Sequence, residues 1–265
     1  MIAHPSVPAL LRRLHRATLA WMGSWWRLLH FAVVMFSLAL DPNSYRNANR
    51  HALAHHIVRG SAPNLLWFTV LASLISLVLI RIVVVTSQSY GLSRFALEMV
   101  VRVLVLELIP LTAAMFVAMR STLPAGLAFA HQWSNHLRGD QVPAQLLRRE
   151  FFPRVASGMF AVWLLAAVSC VLTLVLAYLV MYGFTPWALD GYTRVVGQVF
   201  NPAVALILLL KVVFFSCAVG LIPMASSFYE VGNRRNRATH GLFDMVRLFS
   251  LILLIEIASL MGNYY

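Results

Sequence analysis

Five long apolar stretches, separated by shorter polar segments, dominate the pattern along this chain of 265 residues. Each is long enough to cross the hydrocarbon core of a bilayer, which takes about 20 residues of α-helix. Backbone N–H and C=O groups must be satisfied internally in lipid, so apolar stretches of this length predict helices. The predicted spans are Leu65–Val85, Phe95–Met119, Val155–Tyr182, Ala203–Phe228 and Leu242–Met261. The pattern therefore predicts an all-α membrane protein with five transmembrane helices.

A further apolar stretch, Trp21–Leu40, has polar residues on one side of a helix. At about 100° per residue, Trp25 and Leu28 share one face, whereas Arg27 and His30 share the other. A basic, tryptophan-bearing amphipathic helix lies in the membrane interface rather than crossing it. An arginine at mid-depth would also be costly. We therefore predict an N-terminal amphipathic interfacial helix, and a sixth span is the alternative.

The composition indicates that lipid is the solvent for much of the chain. Hydrophobic residues make up 60% and charged residues 11%, with a mean hydropathy of +0.77. Soluble proteins average about 45–50% apolar and about 25% charged residues. The net charge of +12 falls in the gaps between apolar stretches rather than on one face of a soluble fold, which argues against nucleic acid as a partner.

The basic residues predict the orientation, because cytoplasmic segments of membrane proteins carry the excess of arginine and lysine. With the N-terminus inside, sixteen of the 21 basic residues fall in inner segments. Only Arg94 and Arg194 fall in outer loops, and Arg81, Arg102 and Lys211 lie within spans. We therefore expect a multi-pass protein with a cytoplasmic N-terminus and an outer C-terminus.

No linker rich in glycine and serine divides the chain. We expect a cytoplasmic or interfacial helical region at residues 1–60 and a five-span domain at residues 61–265. The inner connections between spans are 121–152 and 229–241, and the outer ones are 86–94 and 183–202. Both outer loops are small, so no substantial domain of this chain is expected outside the membrane.

Three of the five predicted spans carry ionisable side chains of interest, and charges inside a membrane are expensive and usually functional. Glu98 and Arg102 are four residues apart with the acid first, which favours a helical ion pair near the outer end. Glu107 lies roughly 18 Å from the outer end of the same span at Phe95, at about 1.5 Å per residue. Lys211 and Glu256 fall at outer-to-middle depth on two other spans. These three pair across the bundle, line a hydrated cavity, or do both.

The sequence lacks the usual patterns of catalysis and cofactor binding. It has no GxxxxGK[ST] phosphate loop, so we expect no ATP bound by this chain in that manner, and no enzymatic activity. Cys170 and Cys217 lie singly inside apolar stretches, which is typical of buried small hydrophobes. His51 and His55 share a helical face with His56 nearby, but no carboxylate or cysteine accompanies them, so no metal site is predicted.

Several short motifs occur in a characteristic order. LELIPLTAAMFVAMR at Leu106–Arg120 contains Glu-x-x-Pro, then small residues, then a closing arginine. LLRREFFPR at Leu146–Arg154 has a paired arginine before Pro-Arg. Lys211 follows within a span, RNRATHG occupies Arg235–Gly241, and Glu256 stands in the last span. In these motifs the chain resembles the MlaE/YrbE-type permeases, the membrane subunits of ABC systems that move lipids with MCE-domain proteins.

The resemblance covers roughly Leu65–Met261 and implies a function. A permease of this type transports phospholipid in the bacterial inner membrane as a homodimer that encloses the lipid. An ATPase subunit, which binds ATP, docks on the cytoplasmic face, and an MCE-domain protein stands on the outer face. The residues that would line the lipid cavity are Glu107, Pro110, Lys211 and Glu256. Those that would form the ATPase-docking face are Arg120, Arg138, Asp140, Arg148, Arg149 and Arg154.

The chain departs from the family pattern in the first inner connection. Ala128 stands where the family has a glutamate, and Asp140 is the only acidic residue in the segment 121–145 that corresponds to an acidic coupling segment. Leu106 stands where the family often has arginine. Two alternatives stay open, the first suited by the buried glutamates and lysine and the second by the lost acidic segment. One is an ion-coupled secondary transporter, and the other is a membrane scaffold subunit that has lost ATPase coupling.

Overall fold

The computed structural model describes residues 7–42, 47–92, 95–133, 144–230 and 237–264. Within these residues every regular element is helical, which confirms the all-α class. The main helices are α1 Val7–Leu40, α2 Asn47–Ser89, α3 at 96–133, α4 at 144–182, α5 Leu189–Val199, α6 Pro202–Glu230 and α7 Arg237–Tyr264. A short 3₁₀ turn, Pro186–Ala188, precedes α5.

Six helices in the described part of the chain are long and apolar enough to cross a membrane. Five of them contain the five predicted spans. The sixth is Met22–Leu40 of α1, so the count differs from the prediction by this helix. This helix is as long and, on average, as apolar as a membrane span. An average hydropathy does not show how polar and apolar residues are distributed around the helix. Its two-faced pattern was the basis for predicting an interfacial position.

The described side chains of α1, from Met22 onward, contact one end of the helical bundle. In the second half of α1, the ring of Trp25 lies 4.7 Å from the Arg247 guanidinium in the third turn of α7. Just past its end, Asp41 accepts a 2.6 Å hydrogen bond from Arg148 at the start of α4. Between them, Phe31 is fully buried. The sixteen residue steps from Trp25 to Asp41 extend about 24 Å, so α1 lies across one end of the bundle rather than along it.

The buried ring of Phe31 is the centre of an aromatic cluster beneath α1. It meets Phe151 of α4 at 6.1 Å and Phe228 of α6 at 5.4 Å between ring centroids. Phe129 of α3 packs edge-on against Phe151 at 4.6 Å. Edge-to-face pairs of this kind add about 0.5–1.5 kcal/mol beyond area burial. The cluster therefore joins α1 to the ends of three other helices.

Helices α2 and α4 form the most extensive helix pair. Ser157 of α4 donates a 2.8 Å hydrogen bond to the carbonyl of His56, and farther along Ser76 and Thr173 share a 2.9 Å hydrogen bond. Both bonds satisfy buried hydroxyls, as a water-free interior requires. Helix α2 is continuous across residues 60 and 61, where the proposed division of the chain falls, and that division stays a prediction.

Two glycines let α4 and α6 approach closely. A Cβ atom at Gly220 of α6 would lie 3.0 Å from the backbone oxygen of Val155. A Cβ atom at Gly158 of α4 would lie 2.8 Å from Cγ2 of Thr122 and 3.5 Å from the α-carbon of Gly220. Small residues at helix crossings are typical of membrane proteins, where van der Waals packing rather than hydrophobic burial drives helix association.

An apolar stripe on α2 faces outward. The exposed side chains recur every three or four residues, the spacing of one helical face. They are Trp67, Leu71, Leu74, Val78, Ile82 and Val85, each 46–69% exposed. Water-soluble proteins rarely expose continuous apolar surface of this extent. This face is therefore suited to contact lipid, as the composition predicted.

Three π-helical segments widen the helices, and each ends two residues before a proline. Val101–Leu108 precedes Pro110, Ala118–Thr122 precedes Pro124, and Leu147–Phe151 precedes Pro153. Proline lacks the N–H for the usual helical bond, and its ring collides with the carbonyl four residues earlier. A wider turn relieves that collision, which gives these π segments a local cause. Such segments frequently mark functional sites.

The short helix α5 covers the end of the bundle opposite α1. The Tyr192 hydroxyl donates a 2.7 Å hydrogen bond to the carbonyl of Leu174 in α4, and its ring lies 5.2 Å from Tyr178. Burial raises the pKa of Tyr192 to about 12, so the hydroxyl keeps its proton. Ahead of α5, Phe184 and Trp187 are 93% and 92% exposed.

Candidate functional site

The three ionisable residues that the sequence placed on separate spans meet inside the bundle. Lys211 Nζ lies 2.8 Å from Glu256 Oε2 and donates a hydrogen bond to Glu107. The side chains are 1%, 12% and 10% exposed for Lys211, Glu256 and Glu107. Pairing across the bundle, one of the two expectations for these residues, is what the structure shows. We call Glu107, Lys211 and Glu256 the charged cluster.

Pro110 has a specific role in positioning the charged cluster. Because proline has no N–H, it cannot make the helical bond to the carbonyl of Leu106, four residues earlier. Lys211 Nζ lies 3.2 Å from that same Leu106 oxygen and donates a hydrogen bond to it. The preceding π-helical segment carries Glu107 on its last turn. The proline thus exposes a carbonyl and a carboxylate side by side to one ammonium group.

Asn263 is a member of the site that the sequence analysis missed. Its Nδ2 donates a 3.0 Å hydrogen bond to Glu107 Oε1, and it lies two turns after Glu256 on α7. Positions 256 and 263 are seven residues apart, which places them on one helical face. That spacing is the signal that could have identified it. Lys211 also lies 5.8 Å from the ring centroid of Phe215, one turn farther along α6.

The charges of the cluster do not balance. Two carboxylates face one ammonium, so the fully ionised cluster carries one excess negative charge. Removing ions from water costs several kcal/mol each, and mutual attraction offsets that cost only with good geometry and further hydrogen bonds. The Leu106 carbonyl and the Asn263 amide supply such bonds. The cluster therefore ties α3, α6 and α7 together and retains a polar centre within an apolar bundle.

An apolar cavity of about 180 Å³ lies between α2 and α3. Its walls include Phe68 and Ile75 from α2, and Leu104, Ile109 and Phe116 from α3. Leu104 and Ile109 flank Glu107 along α3, but no member of the charged cluster lines this cavity. The predicted cavity role of Glu107, Pro110, Lys211 and Glu256 stays a prediction.

Of the predicted docking residues, two have exposed side chains and two form ion pairs with neighbouring carboxylates. Arg120 and Arg149 are exposed. Arg148 bonds to Asp41, and Arg154 lies 2.9 Å from Glu150 Oε2 and 4.4 Å from the ring centroid of Phe129. The remaining two docking residues, Arg138 and Asp140, lie outside the described residues.

The other candidates from the sequence have ordinary surroundings. Arg102 Nε donates a 3.0 Å hydrogen bond to Glu98 Oε1, which confirms that helical ion pair. Of the three clustered histidines, the rings of His55 and His56 touch at 6.1 Å between centroids. Among the residues that the structure describes, no group of three or more His, Cys, Asp or Glu side chains could hold a metal ion.

Comparison with known proteins assigns the family. The family described as Permease MlaE matches residues 53–261, a range that extends from α2 to α7 and contains the whole charged cluster. A search of curated protein sequences finds no significant match. The family match covers well over half of the chain and agrees with the motifs around Glu107, Lys211 and Glu256. The chain is thus a multi-pass membrane protein that belongs to the MlaE permease family.

Proposed function

We propose that this chain is the permease subunit of an ABC-type system that transports phospholipid in the bacterial inner membrane. In this proposal a separate ATPase binds and hydrolyses ATP, and an MCE-domain protein receives or delivers lipid at the outer face. The observation that carries the proposal is the family match over residues 53–261. It spans the helices that form both the apolar cavity and the charged cluster.

The chemistry of the bundle supports an amphipathic substrate. A phospholipid headgroup drawn into the bilayer needs polar partners, whereas its acyl chains need apolar walls. Helix α3 carries both kinds of surface, because Glu107 faces the charged cluster while Leu104 and Ile109 line the apolar cavity. A second copy of the chain, paired as a homodimer, would enclose the lipid between the two bundles.

The arginine distribution supports a cytoplasmic N-terminus. With that orientation, α1 lies across the cytoplasmic end of the bundle, in the membrane interface, with its exposed Arg27 toward the headgroups. The exposed Arg120 and Arg149 lie on the same side and would contact the ATPase. At the opposite end, α5 and the protruding Phe184 and Trp187 would face the MCE-domain protein.

The proposed role of the charged cluster in lipid binding is tested by replacing two of its side chains with uncharged side chains of similar shape. In the double variant Lys211→Met with Glu107→Gln, we expect less phospholipid to copurify in mild detergent, because the ammonium and one of its two carboxylates are lost while the side-chain volumes are kept. The matched control is Arg102→Met with Glu98→Gln, an ion pair near the outer end of the same helix α3. Lipid content is measured per protein by mass spectrometry. Equal lipid content in both double variants would remove the proposed role of the charged cluster.

ATPase docking is tested separately. Replacing residues 137–142, which contain Arg138 and Asp140, should abolish copurification of an ATPase with the chain. The lipid content of the purified chain should not change, because this segment is remote from the charged cluster in the sequence. Retention of the ATPase would place the contact elsewhere. Absence of any ATPase from the wild-type complex would favour the scaffold alternative, which the alanine at position 128 also suits.

One observation favours the second candidate, an ion-coupled transporter. The excess negative charge of two carboxylates around Lys211 could take up a proton or a cation during transport. Transport by the chain alone, driven by an ion gradient in vesicles without any ATPase, would support this candidate. Strict dependence on ATP and on the ATPase subunit would reject it.

A further inference from the structure

A second cavity, of about 170 Å³, lies at the end of the bundle that α1 crosses. It is bounded by α2, α3, α4 and α6, and its lining differs sharply from that of the apolar cavity. Its polar walls come from His56, Arg59, Ser121, Arg154 and Ser157. A cavity needs only about 10–15 Å³ of such volume to hold one water molecule. There is room here for a group the size of phosphate together with water.

The basic side chains that line the cavity come from one face of α2 and one face of α4. His56 and Arg59 are three residues apart on α2, and Arg154 and Ser157 are three residues apart on α4. Residues at this spacing share one helical face. Because α2 and α4 pack along their lengths, their two polar faces meet at the cavity. A side chain on α2 and one on α4 can therefore act on one ligand.

The two arginines have different surroundings. Arg154 is held in place by Glu150 at 2.9 Å and by the ring of Phe129 at 4.4 Å, so its guanidinium is oriented before any ligand arrives. Arg59 is exposed at the cavity, and among the described residues no ion-pair partner is found for it. Glu150 does not line the cavity. The cavity itself therefore carries positive charge that is not neutralised within its walls.

Close helix packing surrounds this polar space. Gly60, Gly158 and Gly220 all line it, and a Cβ atom at Gly60 would collide with the Ser157 hydroxyl. At Gly220 a Cβ atom would lie 2.9 Å from Cγ of Met159. The helices are thus closely packed around this cavity. Polar groups enclosed in such a region are costly unless a polar partner satisfies them.

We propose that this cavity binds a phosphate group through Arg59 and Arg154, with the hydroxyl of Ser121 as a further donor. Guanidinium forks match phosphate oxygens in geometry and charge. The phosphate could belong to a lipid headgroup of the adjacent leaflet or to a soluble phosphate. The site lies roughly 14 Å along α6 from Lys211, counted to Gly220 at about 1.5 Å per residue. It is therefore separate from the charged cluster and does not depend on the proposed transport function.

The test uses the full chain, purified in dodecyl maltoside and stripped of phospholipid. Calorimetric titration with inorganic phosphate and with short-chain phosphatidylglycerol measures the affinity for each probe. Arg59→Gln should weaken binding at least about tenfold, which corresponds to about 1.4 kcal/mol. The matched control is Arg50→Gln on the same helix. Nine residues place Arg50 about 180° from Arg59 around the helix, so its replacement should leave the affinity unchanged.

A second variant tests whether positive charge alone, without the guanidinium group, accounts for phosphate binding. Arg154→Lys keeps the positive charge but removes the guanidinium fork, and it should also weaken phosphate binding. Binding of both probes with these losses supports a site for the phosphate group in either form. Binding of phosphatidylglycerol alone identifies a lipid headgroup, and binding of inorganic phosphate alone identifies a soluble ligand. If the wild-type chain binds neither probe, or if Arg59→Gln binds as tightly as Arg50→Gln, the proposal is wrong.

Discussion

Lys211 shows how a single side chain depends on groups far from it in sequence. It is the only lysine in the chain, and its ammonium is almost fully buried between two carboxylates and a carbonyl. The acceptors Glu107 and Leu106 lie more than one hundred residues earlier. An ammonium buried in this way is tolerable only while all of these acceptors remain. Lys211 therefore contributes both to the stability of the bundle and to any polar role in transport.

Removal of this ammonium should be strongly destabilising. In Lys211→Ala, two buried carboxylates lose their counter-ion, so we expect a loss of about 3–5 kcal/mol in the free energy of unfolding. The comparison is Arg102→Ala, whose partner Glu98 and own side chain are 39% and 35% exposed, and which should cost about 1 kcal/mol or less. Equilibrium unfolding in detergent measures both. Equal losses would mean that the charged cluster contributes no more than a surface ion pair.

At the scale of helices, proline and glycine positions determine local geometry and approach. Pro110 follows a π-helical segment and exposes the Leu106 carbonyl to Lys211. Gly158 and Gly220 allow α4 and α6 to touch through their backbones. The two residue types therefore act on different contacts: proline alters hydrogen bonding within a helix, and glycine alters the distance between helices.

Two glycine replacements should have opposite effects. Gly220→Ala places a methyl group 3.0 Å from the Val155 carbonyl, so we expect a loss of about 1–3 kcal/mol from strain. Gly197→Ala in α5 meets nothing within 4 Å and should gain up to about 1 kcal/mol from lower chain entropy in the unfolded state. Thermal unfolding of both variants in one detergent measures the difference. Stabilisation by Gly220→Ala would contradict the close α4–α6 contact.

For the whole molecule, the position of α1 decides the topology. The contacts of Trp25 and Asp41 with α7 and α4 are both at the end where α4 and α7 begin. A helix lying across the bundle leaves five crossings, whereas a crossing α1 would make six. An odd number of crossings puts the two ends of the chain on opposite sides of the membrane, and an even number puts them on the same side.

Reporter fusions distinguish these two topologies. With α1 in the interface, we expect a C-terminal alkaline phosphatase fusion to be active outside and a C-terminal fluorescent protein fusion to be dark. A cysteine near the N-terminus should react with membrane-impermeant reagents only after the cells are lysed. Fusions that place both ends on the same side would show that α1 crosses the membrane.

The sequence pattern was sufficient to predict which segments lie in lipid and which segments are helical. Each predicted span coincides with part of one observed helix to within one residue, and the span Val155–Tyr182 ends at the same residue as α4. Helical hydrogen bonds are local, and twenty apolar residues have few alternatives in lipid. The Glu98–Arg102 pair was predictable for the same reason, because both residues lie on one helix four positions apart.

Contacts between helices required the tertiary structure. Sequence placed Glu107, Lys211 and Glu256 at similar depths, but only the rotation and packing of α3, α6 and α7 decide that they pair, and that Asn263 joins them. The phosphate-sized cavity was likewise hidden, because Arg59 and Arg154 come from helices whose relative rotation no local pattern encodes. By itself the sequence determined which segments are helical and lie in lipid, since those properties depend on neighbouring residues. The tertiary structure decided which charges meet, since that depends on how separate helices pack.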